Sequence, residues 1–296
     1  MTDHALPIPV RRSPFTKFVT ALSLLRESPI GMVGLAILLF WLAMAIFAPF
    51  LPLMDPLKQD SSFLLAKPFT PGKDGVFYWL GTDDLGRDIL SRLIWGAQRV
   101  FIWAGLATLS AYSTGMLMGV AAGYLGGRWD DVLSFIGNLI MSFPLIVLYL
   151  IIIGRFGATP LNIIVAVTLA TGPQVMRIVR GIVLDLKTRD YIAAAQVRGE
   201  HPFYIMLVEL LPNARGPLIV DACLRMGYVT ITIALLGYLG LGLPPPSPDW
   251  GSMINAAQKF GSFGANAMLW PAFAVSTMVL GLNMLADGLR EISLKD

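Results

Sequence analysis

The residues best placed to do chemistry are Asp221 and Arg225, which lie four positions apart in an otherwise apolar stretch. On a helix this spacing puts both side chains on one face. Ionisable residues inside a membrane span usually face the interior of a helix bundle or a water-filled cavity. The two residues can therefore line a polar path for a solute, or they can simply neutralise each other near a membrane surface. The spacing leaves both interpretations open.

Other polar residues inside apolar stretches widen this set. Asn138 and Ser142 precede Pro144, which predicts a kink. Gln174 follows a Gly-Pro pair at 172–173, which predicts a bend of the kind that often borders a substrate path. Pore lining and interhelical hydrogen bonding are equally compatible with Asn138. We take Asn138, Ser142 and Gln174, together with Asp221 and Arg225, as possible pore-lining residues.

The sequence carries no recognisable catalytic constellation. It lacks the G-x-x-x-x-G-K-[ST] loop that binds phosphates, and its acidic residues lie mostly in loops or at helix ends. His4, His201 and the single cysteine, Cys223, form neither a metal cluster nor a disulfide framework. The formal net charge of +3 is too small to indicate nucleic-acid binding. We therefore expect no catalytic residue, metal or cofactor in this chain.

The composition is typical of a membrane protein. The 296 residues are 55% hydrophobic and only 14% charged, with a mean hydropathy of +0.68, whereas soluble domains carry about 25% charged residues. Several apolar stretches are long enough to cross a bilayer core of about 30 Å. They predict an all-α, polytopic fold with about six transmembrane helices, and small residues in the second of them predict close helix packing. The predicted spans are 30–53, 100–124, 132–153, 160–184, 217–243 and 268–289.

The basic residues predict the orientation of these spans. With the N-terminus inside, the inner segments carry 13 Lys and Arg residues and the outer segments carry 8, as the positive-inside rule favours. The first apolar stretch is too long for a cleavable signal peptide, so we interpret it as a retained signal anchor. The expected layout is a cytoplasmic tail at 1–29, a transmembrane domain at 30–296, outer loops at 54–98 and 244–267, an inner loop at 185–215, and both termini in the cytoplasm.

The inner loop at 185–215 predicts a short helix, a glycine turn and a second helix. The stretch DYIAAAQVRG favours a helix that ends near Gly199, and Pro202 permits a new helix to start. Such a unit can insert into a groove of another protein, or it can be an amphipathic connector lying on the membrane. The residues alone leave both possibilities open.

This loop resembles the EAA loop of binding-protein-dependent ABC importers. The signature begins with Glu-Ala-Ala, continues with a Gly and ends with Leu-Pro-Asn; the matching residues here are Ala194, Ala195, Gly199, Leu211, Pro212 and Asn213. Two positions depart from it, because the signature Glu falls on Ala193 and Glu209 stands where His is frequent. By the resemblance, the first departure removes one polar contact that the signature Glu can make to an ATPase.

Further segments resemble the second permease of dipeptide, oligopeptide and nickel importers. They are WLGTDDLGRDILSRLIWGAQ before the second span, AGYLGGRWDD after it, LGYLGLGLPPPSPDWGSMI at the exit of the fifth span and NMLADGLRE in the last. Each is weakly specific, but together they cover nearly the whole chain in order.

The resemblance implies a type I ABC importer permease in a bacterial inner membrane. Its partners would be membrane lipid, a homologous second permease, one or two kinds of cytoplasmic ATPase subunit that bind ATP and Mg²⁺, and an extracytoplasmic substrate-binding protein. The short helix at 191–199 would be the coupling helix, with Asp190, Tyr191 and Glu200 completing the loop that contacts the ATPase.

The resemblance also suggests that the outer segment around 81–96 helps to receive the binding protein. The residues concerned are Asp83, Asp84, Arg87 and Asp88. A helix in which Asp88 pairs with Arg87 and Arg92 is expected here, and a solvated cap on the bundle is an equally good interpretation.

Three other functions compete with that of an importer permease. A stand-alone secondary carrier should show internal symmetry and intramembrane ion sites, and a membrane-embedded enzyme should show clustered His, Asp or Glu; neither pattern is visible. An exporter permease is disfavoured by Gly199 and the Leu-Pro-Asn end of the inner loop. The transported solute stays open among di- and oligopeptides, nickel chelates, oligosaccharides and opine-like compounds.

Overall fold

A computed structural model describes residues 26–244 and 247–293. Residues 1–25 of the predicted tail, Pro245 and Pro246 of the predicted second outer loop, and the last three residues lie outside the described part. The nine helices named here are α1, Pro29–Phe47; α2, Ile89–Leu125; α3, Gly127–Met141; α4, Leu145–Phe156; α5, Pro160–Leu186; α6, Asp190–Val197; α7, Leu211–Tyr238; α8, Trp250–Gln258; and α9, Ala265–Ser293.

Shorter elements join these helices. A two-stranded antiparallel hairpin, β1 (Thr70–Pro71) and β2 (Phe77–Tyr78), lies between α1 and α2, with a 3₁₀ turn at Lys73–Gly75. A helical turn, Pro202–Tyr204, and a π-helical segment, Ile205–Leu210, lead into α7 without a break. A second 3₁₀ turn, Gly261–Gly264, precedes α9.

Among the described residues, five helical stretches are long and apolar enough to cross a membrane, and a bent pair of helices brings the number to six if it is one span. The prediction of a mostly helical protein with about six spans is therefore confirmed. Two of the long stretches, Ile89–Leu125 and Pro202–Tyr238, have 37 residues each. At 1.5 Å per residue they measure about 55 Å, so they extend well beyond a bilayer core of about 30 Å.

The third predicted span, 132–153, is not one helix. It is divided into α3 and α4, which meet at an angle of 86°. Pro144 has no N–H to donate and disfavours helical geometry in the residue before it, so the proline breaks the helix instead of merely kinking it. Pro173 has a different effect, because α5 continues through it while it is buried against neighbouring helices.

The two outer loops also differ from their predicted bounds. The first helix ends at Phe47 and α2 begins at Ile89, so the outer segment between them is 48–88 rather than 54–98. Asp88 causes the early start of α2, because its side chain accepts a hydrogen bond from the backbone N–H of Ser91 and caps the helix. The second outer loop contains a helix, α8, capped by Asp249 in the same way.

The tightest packing joins α2 and α5. Gly115, Gly119 and Gly123 form a stripe along α2, and a Cβ at the first two would lie 2.5 and 2.6 Å from backbone carbonyl oxygens of α5. Small residues that let two helix backbones touch are the usual basis of helix association in lipid. The small residues of the second predicted span therefore have the packing role that the sequence predicts.

Two apolar cores stabilise the bundle. The larger one joins α1, α2, α4, α5, α7, α8 and α9 and includes Trp41, Ile89 and Trp250. The smaller one surrounds the inner loop and joins α2, α5, α6, the π-helical segment and α7 through Val183, Ile192 and Leu210. The inner loop is thus part of a packed unit and not a strand of chain lying free on the surface.

Candidate functional site

The inner loop contains the short helix that the sequence predicts, α6, and a defined turn after it. The backbone N–H of Gly199 donates to the carbonyl of Gln196 at 3.0 Å, and that of Glu200 donates to the carbonyl of Ala195 at 3.2 Å. This pair of bonds is a Schellman motif, which needs a left-handed residue at its centre. Gly199 supplies it with a φ of +76°, so the glycine of the signature is the residue that ends α6.

One face of α6 is fixed to the bundle. Ile192 and Ala195 are completely buried. They belong to the core that contains Val183 of α5 together with Ile205 and Leu210 of the π-helical segment. A displacement of α6 must therefore displace the ends of α5 and α7.

The opposite face of α6 is exposed and largely apolar. Ala193 and Ala194 are exposed, and Val197 is 89% exposed, the highest value among the exposed large apolar side chains of the described residues. Phe203 adds an aromatic ring that is 65% exposed and stacks on His201. We call Ala193, Ala194, Val197 and Phe203 the apolar tip.

Polar residues border the apolar tip. Asp190 lies exposed in the first turn of α6, where the helix dipole favours an acidic residue. Tyr191 is half-buried, and burial raises the pKa of its hydroxyl. Arg198 lies within 3.5 Å of Glu200 and 3.4 Å of Glu209. Glu209, which departs from the family pattern, therefore has a cationic partner within the loop.

The Leu-Pro-Asn end of the signature builds the start of α7. Leu211 is half-buried against the inner core. Pro212 lies in the first turn of α7, directly after the π-helical segment, and the Asn213 amide donates to the carbonyl of Glu209 at 2.6 Å. These three residues hold the junction between the loop and the long helix.

Three of the possible pore-lining residues meet in one polar cluster. Arg225 donates to the side-chain oxygen of Gln174 at 2.6 Å, and its Nε lies 3.5 Å from Asp221 Oδ2. The Asp221 and Arg225 side chains are only 15% and 13% exposed. Tyr112 of α2 lies beside them and donates to the carbonyl of Leu218 at 2.7 Å. The cluster therefore ties α2, α5 and α7 together.

A cavity of about 470 Å³ adjoins this cluster. Its charged lining residues are Asp221, Asp287 and Arg290, and the rest of its wall is apolar. Asp221 thus belongs both to the cluster and to a cavity wall.

Asn138 and Ser142 do not join the polar cluster. Asn138 is exposed and accepts a hydrogen bond from Arg177 of α5 at 2.9 Å. The Ser142 hydroxyl donates to the carbonyl of Leu139 at 2.6 Å and helps to end α3. Arg180 and Asp130 add a close ion pair between the same two helices. In this arrangement the two residues support the joint between α3, α4 and α5.

The outer acidic segment is organised around Asp83, not Asp88. Asp83 Oδ2 lies 2.7 Å from Arg87 and 3.4 Å from Arg92, and its Oδ1 accepts the backbone N–H groups of Leu85 and Arg87. Asp88, which we expected to pair with the arginines, caps α2 instead, and burial raises its pKa. Asp84 is 3.9 Å from Arg87. Asp83 and Asp88 are both buried.

Tyr112, Asp249 and Trp250 are structural partners of these sites that sequence reasoning missed. Asp249 is buried, which raises its pKa, and it caps α8. Trp250 is fully buried and donates to the carbonyl of Leu93 in α2. The Asp-Trp-Gly-Ser stretch is a helix-capping pattern that could have revealed α8. In the described ranges, no group of three or more His, Cys, Asp or Glu residues could hold a metal ion.

Comparison with known proteins assigns the chain to a family. The family described as binding-protein-dependent transport system inner membrane component matches residues 115–295. A second family, the N-terminal TM domain of oligopeptide transport permease C, matches residues 17–68. Together they cover most of the chain and leave residues 69–114 between them, which include the outer hairpin and most of α2.

Curated relatives agree with this assignment. The chain is 34% identical over 98% of its length to the dipeptide transport system permease protein DppC of Alkalihalophilus pseudofirmus, covering 97% of that protein. It is 32% identical to DppC of Escherichia coli K12, over 98% of this chain and 95% of the relative. It is 33% identical to the oligopeptide permease OppC of Bacillus subtilis, over 90% and 85%.

A solved structure supports the fold. A chain of the MetNI methionine ABC transporter in an inward-facing conformation matches with a TM-score of 0.57 and 20% identity, over 69% of this chain and 97% of that one. The architecture is therefore that of a type I ABC importer permease. The chain belongs to the family of binding-protein-dependent transport system inner membrane components, as a permease subunit of an ATP-driven importer.

Proposed function

We propose that the apolar tip of α6 is where a cytoplasmic ATPase subunit docks, and that through it the chain couples ATP hydrolysis to import of peptides or similar small solutes. The observation that carries this proposal is the two-sided construction of α6, with Ile192 and Ala195 buried and Val197 almost fully exposed. Exposed apolar patches are typical of protein interaction sites. The coupling loop would comprise Asp190, Tyr191, Ala194, Ala195, Gly199, Glu200, Leu211, Pro212 and Asn213.

The proposed mechanism follows from how α6 is attached. Force applied to the apolar tip passes through Ile192 and Ala195 to the inner core, and from there to α5 and α7. Both helices contribute to the polar cluster, which would then move with them. Interior packing is dense and transmits strain, so a small rigid displacement of α6 is enough to change the spacing of α5 and α7.

The proposed partners supply what this chain lacks. One or two kinds of ATPase subunit would bind ATP and Mg²⁺, because the sequence of this chain lacks the G-x-x-x-x-G-K-[ST] loop that binds phosphates. No cofactor is proposed for the chain itself. A homologous second permease would complete the translocation pathway, and an extracytoplasmic binding protein would deliver the solute. These roles are supported by the family assignment, whose description names a binding-protein-dependent system.

The proposed location is a bacterial inner membrane with both termini in the cytoplasm. Under this topology α6 faces the cytoplasm, while the hairpin and α8 face the opposite side. We propose that the binding protein contacts the segment around Asp83, Asp84, Arg87 and Asp88. Because Asp83 and Asp88 are buried, their part in such a contact would be to hold the segment in shape, with Asp84 and Leu85 at its surface.

The residues of the polar cluster are the best-supported candidates for lining the translocation pathway. Gln174, Asp221 and Arg225 lie together, and Asp221 borders a cavity. Asn138 and Ser142 stay in the proposal as residues that position α3 and α4 beside α5. A di- or oligopeptide is the solute class that the names of the relatives favour.

The decisive experiment is purification of the tagged chain from native membranes, followed by transport measurements on the reconstituted complex. A homologous permease and ATPase subunits should co-purify, and uptake should require ATP and the binding protein. A chain that is purified alone and transports solute without ATP would overturn the proposal in favour of a secondary carrier.

The coupling assignment has its own test, Gly199→Arg, with Gly240→Arg as the matched control. Both glycines have a positive φ, +76° and +78°, both end a helix with the same pair of backbone hydrogen bonds, and a Cβ at either would meet open space. The backbone strain is therefore similar, but Gly240 follows the far end of α7, away from α6. Gly199→Arg should abolish uptake while the protein stays in the membrane, and Gly240→Arg should retain it; equal losses would contradict the assignment.

A further inference from the structure

The outer segment presents aromatic rings to its surroundings. In β2, Phe77 is 38% exposed, Tyr78 is 5% exposed, and Trp79, just after the strand, is 56% exposed. This alternation is the period-two pattern of a strand. Tyr78 packs inward on Phe63, with ring centroids 5.4 Å apart, so Phe77 and Trp79 point away from the body of the segment.

A third ring completes the exposed group. Phe69 is 66% exposed and lies 6.5 Å from Phe77 and 6.3 Å from Trp79, while Phe77 and Trp79 are 4.9 Å apart. Its φ of +61° is unusual for a bulky residue. Such strain persists where the surrounding structure requires it and often marks a functional position. We call Phe69, Phe77 and Trp79 the aromatic triad.

The depth of the triad follows from the length of α1. This helix has 19 residues, which corresponds to about 29 Å and just spans a bilayer core. Its end near Phe47 therefore lies at the outer membrane boundary. Phe77 and Trp79 line a cavity of about 590 Å³ together with Met44 of the last turn of α1 and Ile94 near the start of α2. The triad thus lies at the level where α1 leaves the membrane.

We propose that the aromatic triad anchors the outer segment in the interfacial region of the outer leaflet, and that phospholipid occupies the cavity beside it. Aromatic rings are enriched at this depth, where an apolar ring meets polar headgroups. At the end of α1, Phe47 and Phe50 add two further exposed rings, 54% and 81% exposed. The cavity is lined mainly by apolar side chains, which suits an acyl chain.

The position of the aromatic triad favours lipid over a protein as the group that covers it. Phe77 and Trp79 share their cavity with Met44 in the last turn of the membrane-spanning α1, so a water-soluble protein would have to displace lipid to reach it. The anchor would fix the height of the outer segment, including the cluster around Asp83, relative to the bilayer. This inference needs only that α1 spans the membrane with the N-terminus in the cytoplasm, as proposed above, and it is independent of how the ATPase is coupled.

The test is fluorescence quenching of Trp79 by brominated lipids. The complex is reconstituted in vesicles of phosphatidylethanolamine and phosphatidylglycerol whose acyl chains carry bromine either close to the headgroup or close to the chain end. Wild type and Trp79→Phe are compared, and the difference in emission isolates Trp79. Trp250→Phe is the control, because the Trp250 ring is fully buried in the protein.

Bromine close to the headgroup should remove most of the Trp79 emission, bromine at the chain end should remove little, and aqueous iodide should have little effect. Emission that is insensitive to both lipids but quenched by iodide would overturn the proposal. If the binding protein then protected Trp79 from iodide, the triad would be a protein contact instead. These outcomes leave the transport experiments on Gly199 unaffected.

Discussion

The two ends of the bundle are built on different principles. The inner end, around α6, relies on apolar packing and carries exposed ion pairs, such as Asp185 with Arg189, whose side chains are 66% and 59% exposed. The outer end, around Asp83, buries its charges, and the side chain of Arg92 is only 4% exposed. The inner end leaves an apolar surface without a partner in the described chain, whereas the outer end holds Asp83, Arg87 and Arg92 together in one cluster of ion pairs.

This difference indicates which of the two surfaces is left for a partner protein to cover. Covering a surface such as the apolar tip with a partner lowers the free energy, as the proposed docking of an ATPase subunit requires. The shape of the outer cluster does not depend on a partner, because contacts within the outer segment and with Arg92 of α2 hold it. The comparison predicts that charge substitutions unfold the outer end, while apolar-tip substitutions uncouple transport without unfolding the chain.

The largest expected effect is that of Asp83→Ala. The substitution leaves Arg92 buried without its carboxylate and removes acceptors for two backbone N–H groups. Breaking a buried pair in this way costs about 3–5 kcal/mol. Asp185→Ala is the matched control, because its exposed pair contributes at most about 1 kcal/mol. The measurement is the thermal midpoint of the purified chain in lipid; similar midpoints for both variants would show that the outer cluster is dispensable.

The next effect concerns the polar cluster between the two ends. Gln174→Leu leaves an Arg225 donor without its 2.6 Å acceptor, and hydrogen bonds to charged groups contribute about 1.5–3 kcal/mol. Gln98→Leu removes only a neutral bond to the carbonyl of Ala45 and should cost about 1 kcal/mol. Thermal midpoints of the two variants should differ accordingly. A larger loss for Gln98→Leu would mean that the cluster does not hold α5 against α7.

Much of this architecture could be predicted from the sequence. The number of spans, the short helix of the inner loop and its end at Gly199 followed from local patterns, because apolar length and glycine turns act within one segment. The close packing at the glycine stripe of α2 followed from the many small residues in the second predicted span. The pairing of Asp221 with Arg225 also followed from spacing, since both lie on one helix.

Other features could not be predicted, because they depend on contacts between distant segments. The sequence suggested that Asp88 would pair with the arginines, but the fold brings Asp83 to Arg92 and uses Asp88 as a cap. Tyr112 and Gln174 join the polar cluster only because α2 and α5 pack closely on α7. Pro144 breaks its span, whereas α5 continues through the buried Pro173, and the residue type alone does not distinguish the two.

A smaller effect is expected from a charge substitution in the apolar tip, and it concerns uptake and not stability. Val197→Asp should lower ATP-driven uptake at least about tenfold, which corresponds to about 1.4 kcal/mol, because a charge would be buried under the ATPase. The thermal midpoint of the isolated chain should stay unchanged, since Val197 is 89% exposed. Val197→Ile is the control and should keep full uptake. Unchanged uptake in Val197→Asp would remove the apolar tip from the proposed interface.

The smallest expected effect is that of Arg198→Ala. Its ion pairs with Glu200 and Glu209 are 3.5 and 3.4 Å long, and its side chain is 54% exposed. Such pairs contribute at most about 1 kcal/mol and weaken further in salt. The thermal midpoint should therefore change little at low salt and still less at high salt, because packing of Ile192 and Ala195 holds α6. A loss as large as that of Asp83→Ala would show that the inner end also depends on its charges, and the contrast between the two ends would be wrong.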